Sequence, residues 1–233
     1  MVLDGKERKN VQKMDGWAVV AAELEGEDLK EKIYDNTLFS LCGDLEGKAV
    51  LDYGAGPAVV ASRAMDNGAS VKAFDISKDM REIAVEKLGK QNVYEAVEEI
   101  PGNYFDIVLC NLVLCIVPEE EVAVIVRNIR NMLKTDGIAY VGFCNPRIFD
   151  VPESVIDFRK QTGDAYENNH EYTKVKKEGN YEIMELHRPI EWYEEMFRGA
   201  GFEVDVNFTP EYDIGKRKIS DFIIFKLKKE GLK

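Results

Sequence analysis

Lys48-Ala49-Val50-Leu51-Asp52-Tyr53-Gly54-Ala55-Gly56-Pro57-Ala58-Val59 decides how the rest of the chain is read. A short apolar run meets two glycines and then re-enters apolar, helix-compatible sequence. That order describes a buried strand, a tight turn and the start of a helix. Glycine is needed where a backbone bends sharply or lies against a ligand, because it has no Cβ. A turn that feeds a helix N-terminus also points free N–H groups at whatever sits above it. Asp52 stands just before Gly54, at the mouth of the strand. Val71-Lys72-Ala73-Phe74-Asp75 reads as a second strand ending in a carboxylate. An acid about 20 residues after the first glycine, at a strand end, is placed to bind ribose hydroxyls. A dinucleotide fingerprint would need glycine where Val59 stands, which argues against NAD.

These two strand ends resemble motif I and the following acidic strand end of class I S-adenosylmethionine-dependent methyltransferases, in their small-molecule (type 11/12-like) branch. The family's turn reads Asp-x-Gly-x-Gly-x-Gly. Ala58, preceded by Pro57, replaces the third glycine here, and alanine is small enough for the turn to survive. Tyr104-Phe105-Asp106-Ile107-Val108-Leu109-Cys110-Asn111 resembles the family's fourth strand, followed by a loop that closes under the methyl group. Cys115 stands where related sequences often carry histidine. The resemblance covers about residues 46–227, less an insertion. It implies S-adenosylmethionine as cofactor and S-adenosylhomocysteine as product. It also implies a cofactor-binding set of Asp52, Gly54, Ala55, Gly56, Asp75, Ile76, Met80, Val97, Glu98, Asn111 and Leu112. The family's carboxylate near the adenine falls at Ala96-Val97, so that contact passes to backbone groups or to Glu98.

The chain has 233 residues, 45% of them hydrophobic, and a net charge of −12. That suits one domain with elaborations and argues against a duplex nucleic-acid binder, which shows a basic face. The four cysteines form no Cys-x-x-Cys pair, and His170 and His187 are the only histidines, so no metal site is expected. The start of the sequence lacks an apolar core of signal-peptide length, and no stretch is long enough to span a bilayer. A cytoplasmic protein, monomer or homodimer, with no membrane or nucleic-acid partner, is the expectation.

Residues 1–45 are expected to form an N-terminal helical cap, with Trp17 and Tyr34 on apolar faces that could border an acceptor. Helices are expected over 58–67, 78–88 and from Pro118, with Ser77 as an N-cap. A third strand is expected over Asn92–Val97 and a fifth over Ile138–Phe143. Residues 46–233 then form the S-adenosylmethionine-binding domain. Its fold class is α/β, with a doubly wound, mostly parallel seven-stranded sheet and a C-terminal antiparallel hairpin. The inserted lid spans 145–188, too long a connection to be structureless. Glu171–Lys176 and Tyr181–His187 alternate around Lys177-Glu178-Gly179-Asn180, the pattern of a hairpin. Arg159 and Tyr166 in this insertion are further candidates for substrate binding. His187 is the first candidate for a base, since imidazole titrates near neutrality, followed by Tyr172 and His170. His187 is expected to face the pocket near Asn111. The expected chemistry is in-line methyl transfer to a small or medium-sized acceptor. The alternatives are a methyltransferase for RNA or protein, and a non-catalytic binding module on the same fold.

Overall fold

A computed structural model describes residues 9–11, 17, 20–160, 165–179 and 181–230. The first strand, β1 (Lys9–Val11), belongs to a small second sheet. Helix α1 (Ala21–Glu25) leads to α2 (Asp28–Lys30), which runs through a π-helical turn, Glu31–Asp35, into α3 (Asn36–Cys42). The π turn leaves the neighbouring side chains of Tyr34 and Asp35 both buried. Most of the expected helix before Ala21 lies outside the described residues.

Strand β2 (Ala49–Tyr53) is the hub of the main sheet. It pairs in parallel with β3 (Ser70–Phe74) on one side and β5 (Phe105–Asn111) on the other. Beyond β3 lies β4 (Val93–Tyr94); beyond β5 lies β6 (Leu133–Cys144), also parallel. The chain order therefore diverges at β2, and the crevice of an open α/β sheet forms above such a point. The sequence places the glycine turn there.

Helices cover both faces, and apolar periodicity explains each. Helix α4 (Val59–Asp66) buries Val60, Ala61 and Ala64. Helix α5 (Lys78–Leu88) starts where the Ser77 side chain accepts from Met80 N–H at 3.4 Å, and buries Met80, Ala84 and Leu88. On the other face, α6 (Glu119–Met132) opens with three acids at the positive end of its dipole. It buries Val122, Ile125, Val126, Ile129 and Met132, each stabilising by roughly 1.5–3 kcal/mol.

The insertion after β6 contributes β7 (Asp157–Lys160), β8 (His170–Lys176) and β9 (Tyr181–His187). The expected hairpin is present, with Tyr172 opposite Glu185 and His170 opposite His187. Two partners went unforeseen. Strand β7 joins β8 antiparallel, and β1 joins β9 parallel, giving a four-stranded sheet in the order β1-β9-β8-β7. The turn residue Asn180 lies outside the described residues.

Helix α7 (Ile190–Gly199) leads to β10 (Phe202–Phe208). A small hairpin follows, β11 (Tyr212–Ile214) with β12 (Arg217–Ile219), then β13 (Phe222–Lys229). Strand β13 inserts antiparallel between β6 and β10, completing seven strands in the order β10-β13-β6-β5-β2-β3-β4.

The expected third strand, Asn92–Val97, shrinks to two residues. Val97–Glu99 turns into a 3₁₀ helix, and Glu99 Oε2 reaches back to Glu95 N–H (3.0 Å) and Ala96 N–H (3.4 Å). A side chain that claims these donors removes them from the ladder. The fifth strand is longer than expected, starting at Leu133. Among the described residues, no helix is long and apolar enough to cross a membrane.

Candidate active site

The turn after β2 is fastened to the end of β3. Gly54 and Ala55 N–H both donate to Phe74 O, at 2.7 and 3.0 Å. Gly54 has φ +78°, and a Cβ there would overlap the Val113 side chain. Gly56 N–H donates to Asp75 Oδ2 at 2.8 Å, and Ser77 N–H donates to Asp75 Oδ1 at 2.9 Å. Burial pushes the Asp75 carboxyl up, against the pull of these two N–H groups. A Cβ on Gly56 would meet nothing within 4 Å, so the space above it is open. Ala58 adopts φ 58°, ψ 32° and precedes α4. The turn survives the missing third glycine by holding alanine in a left-handed conformation that costs about 1–2 kcal/mol.

Around this turn, polar atoms are buried without partners. Asp52 is 2% exposed, and its Oδ2 has no hydrogen bond. Burial pushes its carboxyl up to about 7; Lys30 opposes this, while Asp75 and Asp35 add to it. Lys30 pairs with Asp35 at 2.8 Å. At the end of β5, Tyr34 Oη donates to Asn111 Oδ1 at 2.5 Å, and Asn111 Nδ2 is left buried and unpartnered. Gly142 makes this possible, because the Tyr34 ring fills the place of its missing side chain. Leu112 follows at φ 59°, with its N–H bonded to Gly142 O at 2.8 Å. Ile76, beside Asp75, is 61% exposed and offers a free apolar surface. Met80 is buried beneath it in α5, while Val97 is half-buried and Glu98 exposed on the 3₁₀ turn.

The Asp52 carboxyl carries a stability prediction. Its pKa in the folded protein lies above its unfolded value, so the folded state holds the proton more tightly. The penalty is absent below pH about 4, grows as pH rises and is complete above pH about 7. Asp52→Asn removes it. The variant is expected to exceed the parent in urea stability at pH 8, by about 2–4 kcal/mol, with the gap closing toward pH 4. Equal stability of the two proteins at pH 8 would contradict this.

The insertion residues fall into different surroundings from those expected. His187 is buried, stacked on His170 with ring centroids 4.6 Å apart, against Phe149 and Tyr166. Its Nε2 lies 2.8 Å from Tyr166 O; a carbonyl only accepts, so Nε2 carries the proton. The partner of Asn111 is Tyr34, not His187. His170 likewise meets Asn168 O, through Nδ1 at 2.9 Å. Tyr172 Oη donates to Glu185 Oε2; burial and the Glu185 charge hold the phenol proton on, which unsuits it as a base.

The expected substrate contacts are occupied within the fold. The Arg159 side chain is 1% exposed, 3.2 Å from Asp157 and 3.9 Å from Asp221. Tyr166 Oη donates to Glu191 at 2.8 Å and accepts from Ile190 N–H at 2.9 Å, tying the insertion to α7. Trp17 packs with Val20 and Tyr181, and Tyr34 is fully buried. Arg159, Tyr166 and Tyr34 each spend polar groups on a partner from a distant segment, and Trp17 packs on an apolar cluster.

Sequence reasoning passed over Glu185, Lys174 and Glu27. Glu185 is 2% exposed; besides Tyr172 it pairs with Lys174, whose Nζ also reaches Cys144 Sγ at 2.7 Å. Tyr181, Ile183, Glu185 and His187 alternate inward along β9, so an acid in an apolar period was the available signal. Glu27 is buried, accepts from Tyr181 Oη at 2.5 Å and lies 3.4 Å from Lys176. It joins the N-terminal helices to the second sheet. Among the described residues, no cluster of His, Cys, Asp and Glu could hold a metal ion. A groove of about 710 Å³ lies at the opposite, N-terminal edge of the main sheet, near Lys48, Asp106 and Lys134. Its Asp106 and Lys134 pair with each other at 2.9 Å.

Residues 51–141 match a family model described as a methyltransferase domain, of type 11. Over 112 residues the chain is 33% identical to a ubiquinone biosynthesis O-methyltransferase from Neisseria meningitidis. That match covers 44% of this chain and 46% of the relative, so it spans about half the length of that protein. Among solved structures, an S-adenosylmethionine-dependent methyltransferase from Clostridium acetobutylicum superposes with a TM-score of 0.63 at 14% identity, covering 92% of this chain and 98% of that one. A 1,6-didemethyltoxoflavin-N1-methyltransferase from Burkholderia thailandensis, with bound 1,6-didemethyltoxoflavin and S-adenosylhomocysteine, gives 0.51 at 15% identity, covering 91% and 90%.

Proposed function

We infer, from the match of residues 51–141 to a methyltransferase domain of type 11 and from the site's geometry, that the protein is a class I S-adenosylmethionine-dependent methyltransferase and methylates a small-molecule acceptor beneath its insertion. The observation that carries this reading is the turn with its unsatisfied surroundings. Gly56 leaves open space, Asp52 Oδ2 lacks a hydrogen-bond donor, Asn111 Nδ2 lacks an acceptor and Ile76 lacks a cover. S-adenosylmethionine fits this set. Its amino group is a cation for Asp52, its ribose hydroxyls suit Asp75, and its flat adenine suits Ile76. When bound, it supplies a methyl on a sulfonium leaving group. The protein's work is then to orient the acceptor and exclude water. Gly54, Ala55, Leu112 and Met80 shape the walls, and Val97 and Glu98 border the adenine end.

A small acceptor is favoured by the net charge of −12 and by the tight, aromatic-lined region under the insertion. The relatives point the same way, since one is named for ubiquinone biosynthesis and another holds 1,6-didemethyltoxoflavin. Calorimetry tests the cofactor half. S-adenosylmethionine and S-adenosylhomocysteine should bind and NAD should not, and Asp75→Ala should weaken binding by about 1–3 kcal/mol. NAD binding without S-adenosylmethionine binding would overturn the reading. Release of S-adenosylhomocysteine with added acceptors separates an enzyme from a binding module.

A further inference from the structure

We propose that Lys30 and Asp35, on the N-terminal helices, bind the amino-acid end of the cofactor: Lys30 pairs with its carboxylate, and Asp35 shares its ammonium with Asp52. The proposal rests on the methyltransferase reading above and deepens it. Both residues precede the stretch 51–141 that matches a methyltransferase domain. The N-terminal helices then form a wall of the cofactor site, where the sequence alone placed them beside an acceptor.

The observation is a cluster of polar atoms without hydrogen-bond partners. Asp35 and Asp52 are each 2% exposed, and neither Asp35 Oδ1 nor Asp52 Oδ2 accepts a hydrogen bond. Asn111 Nδ2 is buried and donates none. Lys30 Nζ lies 2.8 Å from Asp35 Oδ1, but off the line of a hydrogen bond. Its ammonium carries three N–H groups, and this contact aligns none of them. The π turn brings the pair together. It runs from Glu31 to Asp35, and Lys30 immediately precedes it. A π turn bonds residues five apart, so Lys30 and Asp35 share a face, whereas on a regular α-helix they would diverge. Tyr34, between them in sequence, reaches Asn111 with its hydroxyl, and the Lys30 charge lies over its ring, 5.6 Å from the centroid. The Lys30 and Asp35 charges both act on Asp52, which stands in β2 at the mouth of the glycine turn.

The chemistry of the four groups selects the ligand. Buried polar groups are ordinarily paired, and leaving them bare is costly. The two aspartates call for donors with positive charge. Lys30 and Asn111 call for acceptors, and Lys30 for a negative one. A metal ion would serve only the acids, and a phosphate only the lysine and the amide. Adenine and ribose carry no charge. An α-amino acid group carries an ammonium and a carboxylate on one carbon, so it meets both demands at once. Its ammonium has three N–H groups for the two aspartates, and its carboxylate has oxygens for Lys30 and Asn111.

Calorimetry with three ligands tests this: S-adenosylhomocysteine, its decarboxylated analogue, which keeps the amine, and 5′-methylthioadenosine, which lacks the whole amino-acid end. The parent should bind S-adenosylhomocysteine at least about tenfold more tightly than either of the others. Lys30→Met should lose about tenfold or more on S-adenosylhomocysteine, and nothing on the decarboxylated analogue. Lys30→Arg, which keeps the charge, should recover part of that loss. Asp35→Asn should weaken both ligands that carry the amine. Neither Lys30→Met nor Asp35→Asn should change 5′-methylthioadenosine affinity by more than about twofold, a readout that a merely structural role would move. Equal affinity of the parent for S-adenosylhomocysteine and its decarboxylated analogue overturns the assignment of Lys30 without any variant. A variant that keeps the parent's affinity for S-adenosylhomocysteine, or that loses it and 5′-methylthioadenosine in equal measure, shows that the residue does not read the amino-acid end. Failure of the parent to bind S-adenosylhomocysteine would instead sink the methyltransferase reading.

Discussion

Arg159→Ala is expected to destabilise the protein by about 3–5 kcal/mol, the cost of breaking a buried ion pair from one side. The Asp157 and Asp221 side chains are both 0% exposed. Asp157 belongs to the second sheet and Asp221 to the approach to β13, so the guanidinium clamps the insertion to the main sheet. Asp221 keeps its bond from Tyr212 Oη at 2.5 Å, and Asp157 keeps its contact with Ser154. Neither replaces the lost cation. Two buried carboxylates left without their cation keep the full cost of desolvation, and that is where the loss arises. Urea unfolding measures this. A loss under 1 kcal/mol at pH 8 would mean that the clamp is not ionic in origin.

Gly54→Ala should be nearly as damaging, and more damaging to ligand binding. The residue sits at φ +78°, where a Cβ costs about 1–2 kcal/mol, and that Cβ would overlap Val113. Either the turn moves or the loop after β5 moves, and both border the proposed cofactor site. We expect a combined stability loss of about 3 kcal/mol and at least a tenfold weaker S-adenosylmethionine affinity. Adding Val113→Ala separates the causes. The double variant should regain the part due to overlap and keep the part due to backbone conformation. If Gly54→Ala binds S-adenosylmethionine as tightly as the parent, the turn is not the cofactor's cradle.

Local chemistry made the core legible. The strand–glycine–helix run, the acid after β3, the Ser77 cap and the spacing of apolar residues in α6 each depend on near neighbours. They predicted the mostly parallel sheet and the strand–turn–helix run at its centre. Ala58 was read correctly as a tolerated departure because the turn's geometry is set within a few residues. The insertion was legible only as a hairpin. Strand β1 is three residues long and finds its partner at β9, far away in the chain, so no local pattern announces it.

The partners of the insertion's side chains were hidden for the same reason. Arg159, Tyr166 and His187 are residue types that bind ligands, and a sequence does not say whether a partner elsewhere has already claimed them. The fold supplied Asp221 for Arg159, Glu191 for Tyr166 and a carbonyl for His187. It gave Glu185 the partners Tyr172 and Lys174. The sequence by itself determined the α/β sheet and the glycine cradle, because those follow from backbone conformation and apolar period. Only the tertiary structure decided which polar groups are spent and which remain available, because satisfying a buried charge depends on segments that meet only when the chain is folded.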